Sequence, residues 1–120
     1  MANIDDFKKI EMKIGTIKVA EYIEGADKLL RLEVDFGMKQ VAAEDGSMKE
    51  EPDIRQILSG IREYYQPEQL IGRQCPFITN LEPRTMRGLT SHGMILAVGL
   101  PNGVSLLHPD KEIPPGTELR

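Results

Sequence analysis

Between Leu29 and Phe36 apolar and polar residues alternate cleanly. Leu30, Leu32, Val34 and Phe36 fall on one face and Arg31, Glu33 and Asp35 on the other, the period-two pattern of a half-buried strand that Gly37 ends. Met12 to Ile23 keeps the same period, with Met12, Ile14, Thr16 and Lys18 pointing one way and Lys13, Gly15, Ile17 and Val19 the other. Ile17 and Val19 break strict polarity, as expected of a strand with both faces partly covered. Gly15 inside this strand predicts a bend or bulge, a device that closes small barrels. Gln74 to Leu81 and Met94 to Leu100 read as two more strands. Val104 to Leu107 reads as the last, entered through Pro101-Asn102-Gly103, where Asn-Gly supplies the positive φ angles of a tight hairpin.

The other segments are less regular. Ile4 to Ile10 predicts a short helix with Ile4, Phe7 and Ile10 on one face and Asp5 or Asp6 as its cap. So short a helix must dock on something to persist. Tyr64 to Gly72 predicts another, with Pro67 in its first turn and Gly72 past its end. Ile54, Ile57, Leu58 and Ile61 have helical spacing, yet their β-branching and Gly60 suit a strand, so the pattern leaves both open. Met38 to Asp53 has no clear period and reads as a loop, at least partly mobile, in which Gln40 to Ala43 fits either a short strand or a helical turn. Glu24 to Asp27 and His108 to Glu112 are turns, and Ile113 to Leu119 is a proline-stiffened tail. Five or more short strands and a short helix, with no internal repeat, indicate an all-β fold, most economically a five-stranded oligonucleotide-binding (OB) barrel.

The 120 residues make one domain, 1–120, large enough for a real core. Cys75 is the only cysteine, which excludes an intramolecular disulfide or a thiolate metal cage and suits a reducing, cytoplasmic setting. The polar start, Met1 to Asp6, shows no signal peptide, and no apolar run is long enough to span a membrane. The net charge of −4 argues at first against nucleic acid. Glu44 to Asp53, however, holds five acids and one base and so accounts for the whole excess. A neutral remainder can carry a basic face, though not a strong non-specific one.

The chemistry concentrates in Asn80 to Met94, between the predicted strands. Arg84 and Arg87 sit three apart, with Asn80, Ser91 and His92 beside them and Pro83, Gly88 and Gly93 shaping the turn. A plain connection needs only the Pro and Gly. Arginine forks match phosphate geometry, while Asn, Ser and His reach phosphate, ribose or base edges. Lys28 and Arg31, at the start of the most regular strand, are placed to join them; solvated rim charges are the plainer reading. Nothing here supports an enzyme. Ser91 and His92 are adjacent and would point to opposite faces of a strand. Cys75 reads as a small buried residue, and no phosphate loop, metal-ligand spacing or dinucleotide fingerprint is present.

These residues carry a resemblance over nearly the whole chain. Asp6-Phe7, Ile14-Gly15-Thr16-Ile17, Gly25-Ala26-Asp27-Lys28-Leu29-Leu30, Val34-Asp35-Phe36-Gly37 and Arg55-Gln56-Ile57-Leu58-Ser59-Gly60-Ile61 follow in order. Asn80-Leu81-Glu82-Pro83-Arg84, Met86-Arg87-Gly88 and Ser91-His92-Gly93-Met94 are the most specific part, and Pro109-Asp110-Lys111 and Pro114-Pro115-Gly116-Thr117 close the series. In this the chain resembles the tRNA-binding domain family. That family includes the C-terminal domain of bacterial methionyl-tRNA synthetase, the structure-specific tRNA-binding protein, CsaA and the EMAP II-like domains. The resemblance implies an OB fold with Arg55 to Ile61 as a barrel strand, and no cofactor. It implies tRNA bound by shape with little sequence selectivity, and a homodimer formed through N- and C-terminal extensions. Lys28, Arg31, Asn80, Arg84, Arg87, Ser91 and His92 are the implied RNA contacts, and an aminoacyl-tRNA synthetase an implied partner. Met86 and Met94 are implied as core or loop anchors. The chain departs from the family pattern at Glu82 and Thr85, where cations are usual, at His92, where Gln is usual, and in a longer acidic segment; each change weakens attraction for phosphate. A CsaA-like chaperone or protein-interaction module is the alternative expectation.

Overall fold

The computed structural model describes all residues from Met1 to Arg120. Its spine is a five-stranded antiparallel sheet in the order β3-β2-β1-β4-β7, built from β1 (Met12–Tyr22), β2 (Leu30–Ala42), β3 (Met48–Ser59), β4 (Gln74–Ile78) and β7 (Met94–Ile95). Two small hairpins flank it, β5 (Arg84–Met86) with β6 (Leu89–Ser91) and β8 (Ala97–Leu100) with β9 (Gly103–Leu106). The predicted strand from Met94 to Leu100 is therefore broken at Leu96. Helix α1 spans Ile4–Lys8 and α2 Pro67–Leu70. The sheet curls around Ile17, Leu30, Leu32, Val34, Ile57, Leu70 and Phe77, and the rings of Phe36 and Phe77 meet edge to face with centroids 5.4 Å apart. This is the small OB-type barrel expected. Ile54 to Ile61 lies in β3 and the following irregular turn, so tertiary pairing with Leu30 to Asp35 overrides its helical spacing.

Three expectations need correction. Met38 to Asp53 is not a loop. The ladder runs on from Met38↔Pro52 to Ala42↔Met48, turning only at Ala43 to Ser47, where Asp45 accepts from the Ser47 amide. The segment projects as a two-stranded arm with no core beneath it, so both faces meet solvent and no buried face imposes an alternation. The bulge in β1 falls between Ile17 and Val19 rather than at Gly15. Gly15 serves a close approach instead, because a Cβ there would run into Val34 and Phe36. Helix α1 is capped by Asn3, not by Asp5 or Asp6; the Asn3 side chain accepts from the Asp6 amide and the Asp6 carboxylate returns the bond.

The C-terminal tail lies along β1. Thr117 O accepts from Ile14 N, Ile14 O from the Gly116 amide, and Met12 O from Leu119 N. Gln74 holds the same tail from below, its amide donating to Ile113 O and accepting from Ile113 N. Gly37 and Gly116 both have positive φ and meet back to back, where neither has room for a Cβ.

One ion pair joins these layers. Arg55 grips the buried carboxylate of Asp53 with Nε and Nη2 at 3.0 and 3.2 Å. Its Nη1 donates to Thr79 O at 2.6 Å and to His92 O at 3.3 Å, and its guanidinium lies 5.4 Å from the centre of the Phe36 ring. Arg55→Ala strands a buried carboxylate and two carbonyls and is expected to cost about 3 kcal/mol in a urea titration. At the base of β4, Thr79 donates to the Glu11 carboxylate at 2.6 Å, and this bond, aided by Lys13, holds the Glu11 pKa below its usual 4.5. The stabilisation is present above that value and disappears as pH falls through the lower folded-state pKa. Glu11→Gln is therefore expected to flatten part of the fall in melting temperature below about pH 4.5, measured by thermal denaturation across an acid series.

Candidate nucleic-acid interface

The stretch singled out in the sequence is itself a hairpin. Arg84, Thr85 and Met86 pair with Ser91, Thr90 and Leu89, leaving Arg87 and Gly88 as a two-residue loop. Arg87 has φ 53° and Gly88 φ 77°, the pair of positive angles that a type I′ turn requires. Arg87 is the only non-glycine residue in the chain with positive φ. An L-residue in that region costs about 1 kcal/mol, and the cost places a cation at the tip.

The hairpin is fixed from both sides. Met86 and Leu89 pack with Leu29 against a small buried cluster of Ile23, Ala26 and Leu58. Along the open edge of β3, the Ser91 hydroxyl accepts from Leu58 N and donates to Gly93 O, both at 3.0 Å. His92 N donates to Gln56 O at 2.9 Å, and the Gln56 side chain donates to Thr90 O at 2.8 Å. These bonds, with those of Arg55, close the barrel between β3 and the β5–β6 hairpin.

The seven residues named from the sequence divide into two groups. Arg84, Arg87, His92 and Lys28 are exposed, and none of their side chains has a protein hydrogen bond or an acidic partner within ion-pair distance. Glu82 lies in the same small hollow as Arg84 without pairing with it. The other three are engaged internally. Ser91 is 4 % exposed, so it positions the hairpin and lacks a free surface. The Asn80 amide accepts from Glu11 N and donates to Lys9 O, both at 2.8 Å, tying the end of α1 to the end of β4. Arg31 bonds Glu33 at 2.7 Å, Glu21 at 2.9 Å and Gln56 at 2.7 Å, and the Glu33 bond raises its pKa further. Ser91 and His92 do face opposite ways, buried and exposed, as adjacent residues near a strand end must. Met86 anchors the hairpin as expected, whereas Met94 is 44 % exposed beside Arg84.

Gln56 and Arg55 escaped the sequence reading as site builders. Their signal was two long polar side chains set between Ile54 and Ile57-Leu58. Cys75 is fully buried and its thiol is pushed up to about 11 by burial, the opposite of an activated nucleophile. His108 lies beside it, with Nδ1 2.8 Å from Gln74 O and Nε2 3.2 Å from Arg73. These contacts, with the Cys75 sulfur 3.6 Å from Nδ1, fix the ring's orientation against β4. No group of three His, Cys, Asp or Glu side chains is arranged to hold a metal ion.

A curled OB-type barrel whose open edge is closed by a fixed, cationic hairpin defines an oligonucleotide-binding class of domain. Residues 12–118 match the family described as "Putative tRNA binding domain", and the chain belongs to that family. It is 47% identical over 119 residues to a methionine–tRNA ligase of Xylella fastidiosa strain M23; the match takes in 98% of this chain and 15% of that protein. The chain thus spans a small part of the curated relatives it matches. Among solved structures it is similar to the methionyl-tRNA synthetase-related protein of Pyrococcus horikoshii (TM-score 0.83, 32% identity, covering 100% of this chain and 98% of that one). It is also similar to the chaperone CsaA of Bacillus anthracis (TM-score 0.78, 34% identity, 100% and 99% covered).

Proposed function

We propose that the chain binds tRNA by shape, through Arg84, Arg87 and His92 on the β5–β6 hairpin and Lys28 on the β1–β2 turn. The observation that carries this reading is that Arg84 and Arg87 stay unpaired on a hairpin whose backbone is held by Ser91, Gln56 and the His92 amide. A guanidinium's planar fork loses little entropy per bond made to a phosphate. Four contacts at most, with Glu82 nearby, make the binding modest and salt-sensitive. Base-edge reading has little part in it, so one tRNA serves nearly as well as another. The chain does no chemistry of its own and serves as a binding subunit or appendage of an aminoacyl-tRNA synthetase in the cytoplasm; the likeness to methionine–tRNA ligase supports this.

A homodimer is part of the same proposal. Helix α1 buries none of its residues, and Ile4, Phe7 and Ile10 stay 63, 39 and 41 % exposed around a cleft shared with Leu119. So short a helix needs cover, and a second copy of the chain is the cover proposed. Its mass in solution by light scattering is expected to be twice that of one chain, and a wholly monomeric protein would count against it.

The likeness to CsaA favours one rival, a chaperone-like module that holds extended peptides. Binding of total tRNA across a salt series separates the two. Arg84→Ala with Arg87→Ala is expected to weaken binding and to reduce the slope of log K against log salt by about two. Ser91→Ala is the control. It leaves Leu58 N unsatisfied and is expected to cost about 1–2 kcal/mol of stability while sparing the affinity of the folded protein. Equal tRNA binding by wild type and double variant would sink the arginine face. A wild type that retains unfolded peptide but no tRNA would select the chaperone reading.

A further inference from the structure

A second cluster shares the β1–β2 turn with the arginine hairpin. Tyr22 ends β1 and is 52 % exposed; Tyr64, after β3, is 46 % exposed. Both line an open cleft of about 470 Å³ with Arg62, Glu63, Tyr65, Gln66 and Gln69. The chain has only six aromatic residues, so two exposed in one cleft is an uneven use of them. The neighbouring Tyr65 shows what a packing tyrosine does here: it is half-buried against the core, and its hydroxyl donates to Val104 O and accepts from Leu106 N.

The cleft is rigid. Arg62 donates to Ile23 O at 3.1 Å and Ala26 O at 2.9 Å, and its guanidinium lies 4.5 Å from the centre of the Tyr22 ring. One face of Tyr22 is thereby covered by a fixed cation. The Gln69 carbonyl oxygen accepts from Gln66 N, which leaves its NH₂ group free to donate. The position also points to the RNA. Ile23 and Ala26, which hold Arg62, belong to the cluster on which Met86 and Leu89 of the arginine hairpin pack, and Arg62 N donates to Lys28 O.

We propose that the Tyr22–Arg62–Tyr64 cleft is a stacking subsite for one unpaired nucleobase of the RNA held by the Arg84–Arg87 hairpin. The proposal rests on the RNA-binding reading above. A phosphate does not suit the cleft, because its one cation is committed to two carbonyls and a ring and Glu63 adds a negative charge. A base does suit it. The aromatic faces stack on any base, and the amides and carboxylate at the rim can hydrogen-bond a base edge. Hairpin and cleft then divide the work between backbone charge and base stacking.

The test is tRNA binding by wild type, Tyr64→Leu, Tyr64→Phe and Tyr22→Leu over a salt series. Both Leu variants are expected to bind roughly ten-fold more weakly with an unchanged salt slope, since a stacked base releases no counterions. Tyr64→Phe keeps the ring and is expected to stay within about two-fold of wild type, while a melting temperature of Tyr64→Leu within a few degrees of wild type separates lost stacking from lost folding. Wild-type affinity in both Leu variants overturns the proposal, and so does a loss that Tyr64→Phe shares in full. The reading beneath it fails by a different result, an Arg84→Ala/Arg87→Ala variant with undiminished affinity. A wild type that binds no tRNA at low salt overturns both.

Discussion

The bidentate pair between Arg55 and Asp53 is the contact on which the working face depends. A carboxylate taken out of water is costly unless its lone pairs are filled, and Arg55 fills them while its remaining nitrogen reaches two backbone carbonyls. Those carbonyls belong to Thr79 at the end of β4 and His92 at the end of the arginine hairpin, so one side chain sets the distance between three parts of the barrel. The pair sits on the strand edge that the sheet leaves open. With Gln56 and Ser91 it replaces the backbone ladder that would otherwise close the barrel, and the hairpin is thereby held without being absorbed into the sheet.

The distribution of cations follows from the same economy. Arg31, Arg55 and Arg62 are engaged with acids, carbonyls or a ring, and Arg84 and Arg87 with nothing. An arginine held inside the fold orients its neighbours; one held at a hairpin tip, by a backbone that accepts strain at Arg87, is available to a ligand. Net charge therefore says little about this molecule. The acidic excess resides in the arm formed by the outer halves of β2 and β3, where Lys39 lies 3.9 Å from Glu51 and Gln40 donates to Glu50 across the strands. Charges and Pro52 along the arm's edges also guard it against pairing with another sheet.

Much of this was legible in the sequence. The alternation at Leu30 to Phe36 marked the central strand and its buried face, the Asn-Gly turn marked the last hairpin, and the mixture of Arg, Pro and Gly from Asn80 to Met94 marked the cationic hairpin. Order and spacing of the motifs carried the family. These signals are local, because side-chain period and turn chemistry are set by residues a few positions apart.

The rest depended on residues far apart in the chain. Which of Arg31 and Arg84 stays free was not written locally, since the difference lies in Glu21, Glu33 and Gln56 being brought to one and not the other. Asn80 and Ser91 have the composition of ligand-binding residues, and only their contacts with Glu11, Lys9, Leu58 and Gly93 make them struts. The Met38 to Asp53 arm was invisible because a hairpin without a buried face has no alternation to read. Tyr22, Arg62 and Tyr64 carried no signal at all until the turn after β3 folded back on the end of β1. The sequence by itself determined the strands, the core face and the kind of chemistry offered; tertiary structure alone decided which polar groups remain free to use it, because hydrogen-bond partners are assigned by proximity in space.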